Sequence, residues 1–289
     1  MNDDKMNNEV LLGKSLEETW KDVNSIIVGI FVVLIFAVFP LVYHNYYYDI
    51  LVVKYQFYYI SVIVLVVLVI ITSIYFLYKD VKEYQGKNVK RIAGRVKWRT
   101  LRLVDWAMIA FVATATISTF QSDFFYESFW GNEGRYCGLF LILLYGISFL
   151  IVTRFFRFRQ WYLDLFLAAG SIACIIGILH YLKIDPLGFK LGLSDGDYKI
   201  FASTFGNINT YTSYLALLAG LSVTLLAIEK HKVRKIFYLI TTAISLLGLI
   251  TGISDNAYLA LMALFGLLPL YLFANVNGLK YYVLTLAIL

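Results

Sequence analysis

The sequence predicts an all-α fold, a polytopic transmembrane helix bundle of about eight full spans plus the start of a ninth, with a cytoplasmic N-terminus. Three observations carry this expectation. The 289 residues are 60% hydrophobic and only 15% charged, whereas a soluble domain carries roughly 25% charged residues. Apolar runs near the ~20 residues that cross a hydrocarbon core recur along the whole chain. Cations are concentrated in alternate loops, the pattern that sets orientation in a bilayer.

Residues 1–24 are polar and mixed in charge and read as a cytoplasmic N-terminal tail. Leu11, Leu12, Leu16 and Trp20 are spaced there like one face of a short amphipathic helix. No cleavable signal peptide is expected, because the first apolar run starts late and lacks a small-residue cleavage site. Residues 25–289 form the multi-pass membrane domain. Its expected spans are roughly 25–43, 59–78, 103–120, 137–153, 161–180, 208–227, 236–252 and 257–274, with a ninth beginning near Lys280. Tyr46, Tyr47, Tyr48, Tyr58, Tyr59, Trp98, Trp106 and Trp161 crowd the edges of these spans, as an interfacial aromatic belt does.

Between Lys79 and Arg102 there are nine Lys/Arg against two acids. Arg154, Arg157 and Arg159 occupy the next loop on that side, and Lys230, Lys232, Arg234 and Lys235 the one after. With Lys5, Lys14, Lys21 and Lys280 this side holds 20 of the 25 basic residues. The positive-inside rule makes it cytoplasmic. The pI near 9.1 therefore reflects topology; no nucleic-acid partner is implied, and contact with anionic membrane lipids is a secondary effect of the same charges. Lys54, Arg135, Lys183, Lys190 and Lys199 fall on the opposite side, where positive charge opposes the bias.

The most informative stretch is Lys199–Gly220, KIFASTFGNINTYTSYLALLAG. A cation precedes small and turn-forming residues, and then an apolar run. Gly206, Asn207 and Asn209 tolerate a tight turn or positive φ, and Asn209, Thr210, Thr212 and Ser213 offer capping oxygens for the following helix. A cation, a turn and a helix start together are a candidate anion site. An ordinary capped membrane helix after a loop explains the same residues. Arg135, in GRYCGLF beside Asp123, Glu127 and Glu133, is either a second anion-binding cation or half of a local salt bridge to Glu133 or Asp123. Lys190 lies on the same side with no motif around it.

Asp105 and Asp164 lie at or inside span ends, where carboxylates are functional suspects. His180 closes the fifth expected span and is the candidate base, though a histidine at an interface also serves as a plain hydrogen-bonding residue. Cys137 and Cys174 fall in apolar stretches and imply neither a disulfide framework nor a metal site. No HExxH, DxD or Cys/His cluster, no Walker A and no GxGxxG occurs, so neither a metal nor a nucleotide cofactor is expected.

FASTFGNINTYTSYLALL resembles the STFGNPN-and-helix signature of the bacterial O-antigen ligase and polymerase superfamily, polytopic membrane glycosyltransferases that move glycans off undecaprenyl diphosphate. FQSDFFYESFWGNEGRYCGLFLILLYGISF resembles that family's acidic-aromatic, Trp-Gly, Arg-Tyr-x-Gly-Leu segment, and TGISDNAYLALMALFGLL its serine turn between two helices. The three stand in the family's order over about Phe120 to Leu268. Ile208 replaces the usual Pro, and Lys199 stands where Arg is common. The resemblance implies action on undecaprenyl-diphosphate-linked glycans at the outer face of a bacterial cytoplasmic membrane, with a glycan or lipid acceptor, in cell-surface polysaccharide biosynthesis. It implies that Arg135, Lys199, Asn207 and Asn209 bind substrate, that no cofactor is used, and that a histidine in a later outer loop serves as base. On that comparison the sequence looks like the N-terminal part of a family member, with its family-like segment at about 120–289, and 1–289 alone is expected to insert in the membrane without catalysing transfer. Two other classes stay open: a non-enzymatic transporter or flippase of lipid-linked saccharide, for which paired Gly/Pro-interrupted halves are the mark, and a membrane scaffold subunit docking through the basic loop 79–102.

Overall fold

The computed structural model describes residues 2–95, 101–132, 134–272, 280, 283–285 and 287. These form α-helices and short helical turns, with no strand among the described residues. In chain order they are α1 Asn2–Val33, α2 Ile50–Tyr84, α3 Lys87–Arg95, α4 Leu103–Phe120, α5 Phe125–Trp130, α6 Leu139–Phe155, α7 Trp161–Tyr181, α8 Asp195–Ile200, α9 Ile208–Ile228, α10 Lys232–Thr251 and α11 Asp255–Leu272. Among the described residues six helical stretches are long and apolar enough to cross a membrane: Leu16–Leu41, Ile50–Tyr84, Leu103–Phe120, Trp161–Tyr181, Ile208–Ile228 and Lys232–Thr251. Leu139–Phe155 and Asp255–Leu267 are shorter apolar helices. The chain is thus a multi-pass membrane protein. The eight expected apolar windows overlap these eight stretches, of which six have the length of a span, and the expected ninth lies largely outside the described residues.

The residues read as a tail belong to α1, which is helical from Asn2 without interruption. Its α-helical hydrogen bonding ends at Val33, ahead of Pro40, which lacks an N–H and whose ring clashes with the carbonyl one turn back. The ladder slips to a π turn, Leu34–Val38, and a 3₁₀ turn, Phe39–Leu41. α2 is likewise longer than its apolar window and spans 35 residues.

The chain divides into two compact units, Met1–Leu34 with Tyr55–Phe158, and Ile35–Lys54 with Arg159–Leu289. In the first, polar clasps join helices whose surfaces are otherwise apolar. Thr72 Oγ1 donates to Asn24 Oδ1 at 2.9 Å, and the hydroxyls of Tyr58 and Ser148 meet at 3.1 Å. Buried Asp80 accepts from the Asn88 side chain and the Val89 N–H, capping α3. Glu17 pairs with Lys21 and Arg91, both at 2.6 Å. Asp105 is 1% exposed. It accepts the Arg102 N–H at 2.9 Å, capping α4, and pairs with Arg154 at 3.2 Å.

The second unit packs α7, α9, α10 and α11 around Leu167, Tyr211, Leu215, Leu218, Leu246 and Leu249, all fully buried. Lipid gives no hydrophobic drive between helices, so close approach and hydroxyl bonds hold them together. Gly177 lies under the Tyr211 ring, and Gly248 lies against Cys174 and Leu215; a Cβ on either would overlap those side chains. Thr242 Oγ1 donates to Ser222 Oγ at 3.0 Å, and the hydroxyls of Thr212 and Ser254 are 3.0 Å apart. At the end of this unit where α7 and α10 begin, Tyr238 donates to Asp164 at 2.6 Å, Arg234 lies 3.4 Å from the same carboxylate, and Gln160 bonds Glu229 and Arg234. Both suspect carboxylates, Asp105 and Asp164, therefore have structural partners.

Candidate functional site

The site is built at the other end of the second unit, by the segment between α7 and α9. α7 closes with Lys183 in the left-handed region (φ 60°); its N–H reaches the His180 carbonyl, and the Ile184 N–H reaches the Leu179 carbonyl. This is the Schellman closure that glycine usually provides. Asp185 then turns the chain by accepting the N–H groups of Phe189 and Lys190 at 3.0 and 2.6 Å. Buried Phe189 packs on Tyr43, Tyr47 and His180. Ser194 caps α8 by accepting the Asp197 N–H, and Lys199 sits in the last turn of that helix.

The STFGN turn follows, and each of its residues has a definite contact. Ser203 (φ 52°) donates its hydroxyl to the Ala173 carbonyl and its N–H to His180 Nδ1 at 3.2 Å. The Ser203 carbonyl accepts the Tyr47 hydroxyl at 2.9 Å. Thr204 donates to the Pro40 carbonyl at 2.6 Å. Lys54, 7% exposed, donates to the Phe39 and Pro40 carbonyls at 2.8 and 3.3 Å, so it caps the broken end of the first span. Gly206 (φ 75°) lies so close to Ile50 that a Cβ would overlap it. Asn207 caps α9, accepting from the Asn209 and Thr210 N–H groups.

This framework encloses a cavity of about 350 Å³. Lys183, Lys190, Lys199, His180 and Tyr198 line its polar side, while Tyr211, Ile208 and Ile253 are among the apolar residues of its wall. No carboxylate is among the lining residues. The segment 182–207 contains three lysines and three aspartates, and they are sorted: Asp185 faces backbone N–H groups and Asp197 the Ser194 hydroxyl, while all three lysines line the cavity. Lys183 and Lys199 are exposed, and no side-chain partner holds either ammonium among the described residues. Lys190 is 8% exposed; its ammonium donates to the Tyr198 carbonyl at 2.6 Å and stands 4.0 Å above the Tyr198 ring. Burial pushes that ammonium below the ordinary lysine pKa, opposed by Asp185; an anion entering the cavity favours the protonated form. Burial also raises the Tyr47 phenol, which stays a neutral donor.

Of the sequence-named residues, the structure brings His180 and Lys199 together at this cavity. Asn207 and Asn209 are exposed and are not among its lining residues, though Ile208 between them is. Arg135 belongs to the first unit, in a tight turn where Gly131 and Gly138 pack backbone to backbone. Its side chain is exposed and makes no ion pair among the described residues, and Tyr136 beside it stacks on Tyr55 at 4.7 Å. Glu133, one partner considered for Arg135, lies outside the described residues. Sequence reasoning missed Lys183, Lys190 and Tyr47. Lys190 was set aside for lack of a motif, and Tyr47 was assigned to the aromatic belt, yet it is 7% exposed while Tyr46 and Tyr48 are 43% and 77% exposed. The Asp185-Pro186 pair and Gly188, which fold Lys190 back toward Lys183, were the available signal. Among the described residues no group of three His, Cys, Asp or Glu side chains could hold a metal. Neither protein-family models, nor curated proteins, nor solved structures match this chain.

Proposed function

We propose that this protein transfers or polymerises glycans carried on undecaprenyl diphosphate, in the manner of the O-antigen ligases and polymerases that its FASTFGNINTY, GRYCGL and TGISDN segments resemble. In this reading it crosses a bacterial cytoplasmic membrane about eight times with its N-terminus inside, and the lysine cavity faces out. The observation that carries the proposal is a cavity lined by three lysines and, among the described residues, by no carboxylate, with Ala202 and Ile208, the residues that flank the STFGN turn carrying the resemblance, in its wall. Transfer from a lipid diphosphate needs cations that hold the diphosphate and stabilise charge on the leaving group. Lys183, Lys190 and Lys199 supply them; a substrate role for Arg135, in the first unit, rests on its GRYCGL motif and the bidentate fork of an arginine. Asn207 acts by holding the start of α9.

Membranes from cells expressing the full-length gene product are given a labelled undecaprenyl-diphosphate oligosaccharide, with no nucleotide and no ion gradient. Glycan transfer that fails with Lys199→Ala is the expected result. Transbilayer movement of the donor without transfer identifies the transporter instead.

A further inference from the structure

We propose that His180 is a positioning residue for the lysine cavity and not the proton acceptor of the reaction. The inference rests on the reading of that cavity as a phosphate site. The His180 ring is 1% exposed. Its Nδ1 receives the Ser203 backbone N–H at 3.2 Å, so this nitrogen carries a lone pair. The Tyr47 hydroxyl also lies 3.3 Å from Nδ1, but its single proton has a better acceptor in the Ser203 carbonyl at 2.9 Å. A neutral ring bound in this way carries its proton on Nε2. That nitrogen is sealed from solvent, lies 3.4 Å from Asp185 Oδ1 and makes no hydrogen bond among the described residues.

Neither nitrogen is then free to take a proton from an acceptor hydroxyl, because one lone pair is held by a backbone donor and the other position bears hydrogen. A base needs an open lone pair within reach of the substrate. What the ring does instead is join three stretches of chain. It belongs to the end of α7 that carries Lys183. Through Nε2 it faces Asp185, whose carboxylate holds the Lys190 N–H. Through Nδ1 it holds Ser203, four residues after Lys199. One imidazole therefore fixes the spacing of all three cations.

Two measurements on the whole chain in lipid nanodiscs test this. The first is the ¹⁵N spectrum of histidine-labelled protein at neutral pH, in which His180→Asn assigns one of the three histidines. A neutral ring protonated on Nε2 is expected, and a proton on Nδ1 overturns the proposal. The second is calorimetric titration with inorganic pyrophosphate, well below the unfolding temperature of each variant. His180→Ala is expected to lose about tenfold in affinity. His180→Asn, whose carbonyl can accept the Ser203 N–H, is expected to recover most of it. A base makes no contribution to pyrophosphate binding, and a general packing role weakens both variants alike. Wild-type affinity in His180→Ala, or equal loss in Ala and Asn, therefore refutes the positioning role alone. Failure of the unmodified chain to bind pyrophosphate refutes the phosphate reading and this proposal with it. Absence of glycan transfer with binding intact refutes only the transferase.

Discussion

Removing the Lys199 ammonium separates ligand binding from folding more cleanly than any other change in the cavity. Lys199 is exposed, lines the cavity and has no side-chain partner among the described residues. Truncation to alanine therefore strands no buried group, and a surface change of this kind shifts stability by no more than about 0.5 kcal/mol. A hydrogen bond to a charged group is worth about 1.5–3 kcal/mol. Exposure and screening hold this one to the low end of that range, which corresponds to roughly a tenfold loss of affinity. Lys199→Arg keeps the charge and the reach, so it should retain most of the affinity. Pyrophosphate titration and thermal unfolding of the same nanodisc samples provide the two readouts. Unchanged affinity in Lys199→Ala refutes the anion assignment. A large fall in unfolding temperature with little loss of affinity shows instead that Lys199 is structural.

Three further outcomes follow from other contacts. Gly248→Ala places a methyl group into Cys174 and Leu215, an overpacking that should destabilise the second unit by about 1–3 kcal/mol, seen as a lower unfolding temperature. Lys183→Gly relieves a left-handed residue at the α7 C-terminus (φ 60°), so it should raise stability by up to about 1 kcal/mol while weakening pyrophosphate binding; a variant that loses both would place the Lys183 side chain in the packing. Single cysteines at Asn132, Ser194 and Asn256, in a background lacking Cys137 and Cys174, should react with an impermeant thiol reagent in whole cells, and one at Lys87 should not; the reverse pattern inverts the orientation.

The helices were legible because each depends on a local property, an apolar window of membrane length. Local composition did not show where they stop. α1 continues through residues read as a tail because nothing between Asn2 and Val33 interrupts its backbone hydrogen bonds, and α2 runs into polar sequence at both ends for the same reason. The importance of the Ser203–Asn207 turn was legible from its residue types, and Gly206 does supply a positive φ. The cap, expected of Asn209, Thr210, Thr212 or Ser213, comes instead from Asn207, because α9 already starts at Ile208 and the Thr212 and Ser213 hydroxyls donate back to carbonyls of its first turn. Its partners were not legible. Tyr47 and Pro40 reach Ser203 and Thr204 across more than 150 residues, at separations of 156 and 164, and no periodicity records such a meeting. Lys183 and Lys190 went unrecognised because a cation in a loop resembles any other until the fold shows which ones line a common cavity. Arg135 stood out through its motif, yet the structure leaves it in a different unit from the lysine cavity.

The most direct test of the phosphate site uses a photoactivatable polyprenyl diphosphate incorporated into nanodiscs with the chain, with adducts mapped by mass spectrometry. Labelling should concentrate between Gly177 and Tyr211, compete with inorganic pyrophosphate and weaken in Lys199→Ala. Equal labelling by the same prenyl chain carrying a hydroxyl in place of the diphosphate, or adducts spread along the lipid-facing helices, would contradict it.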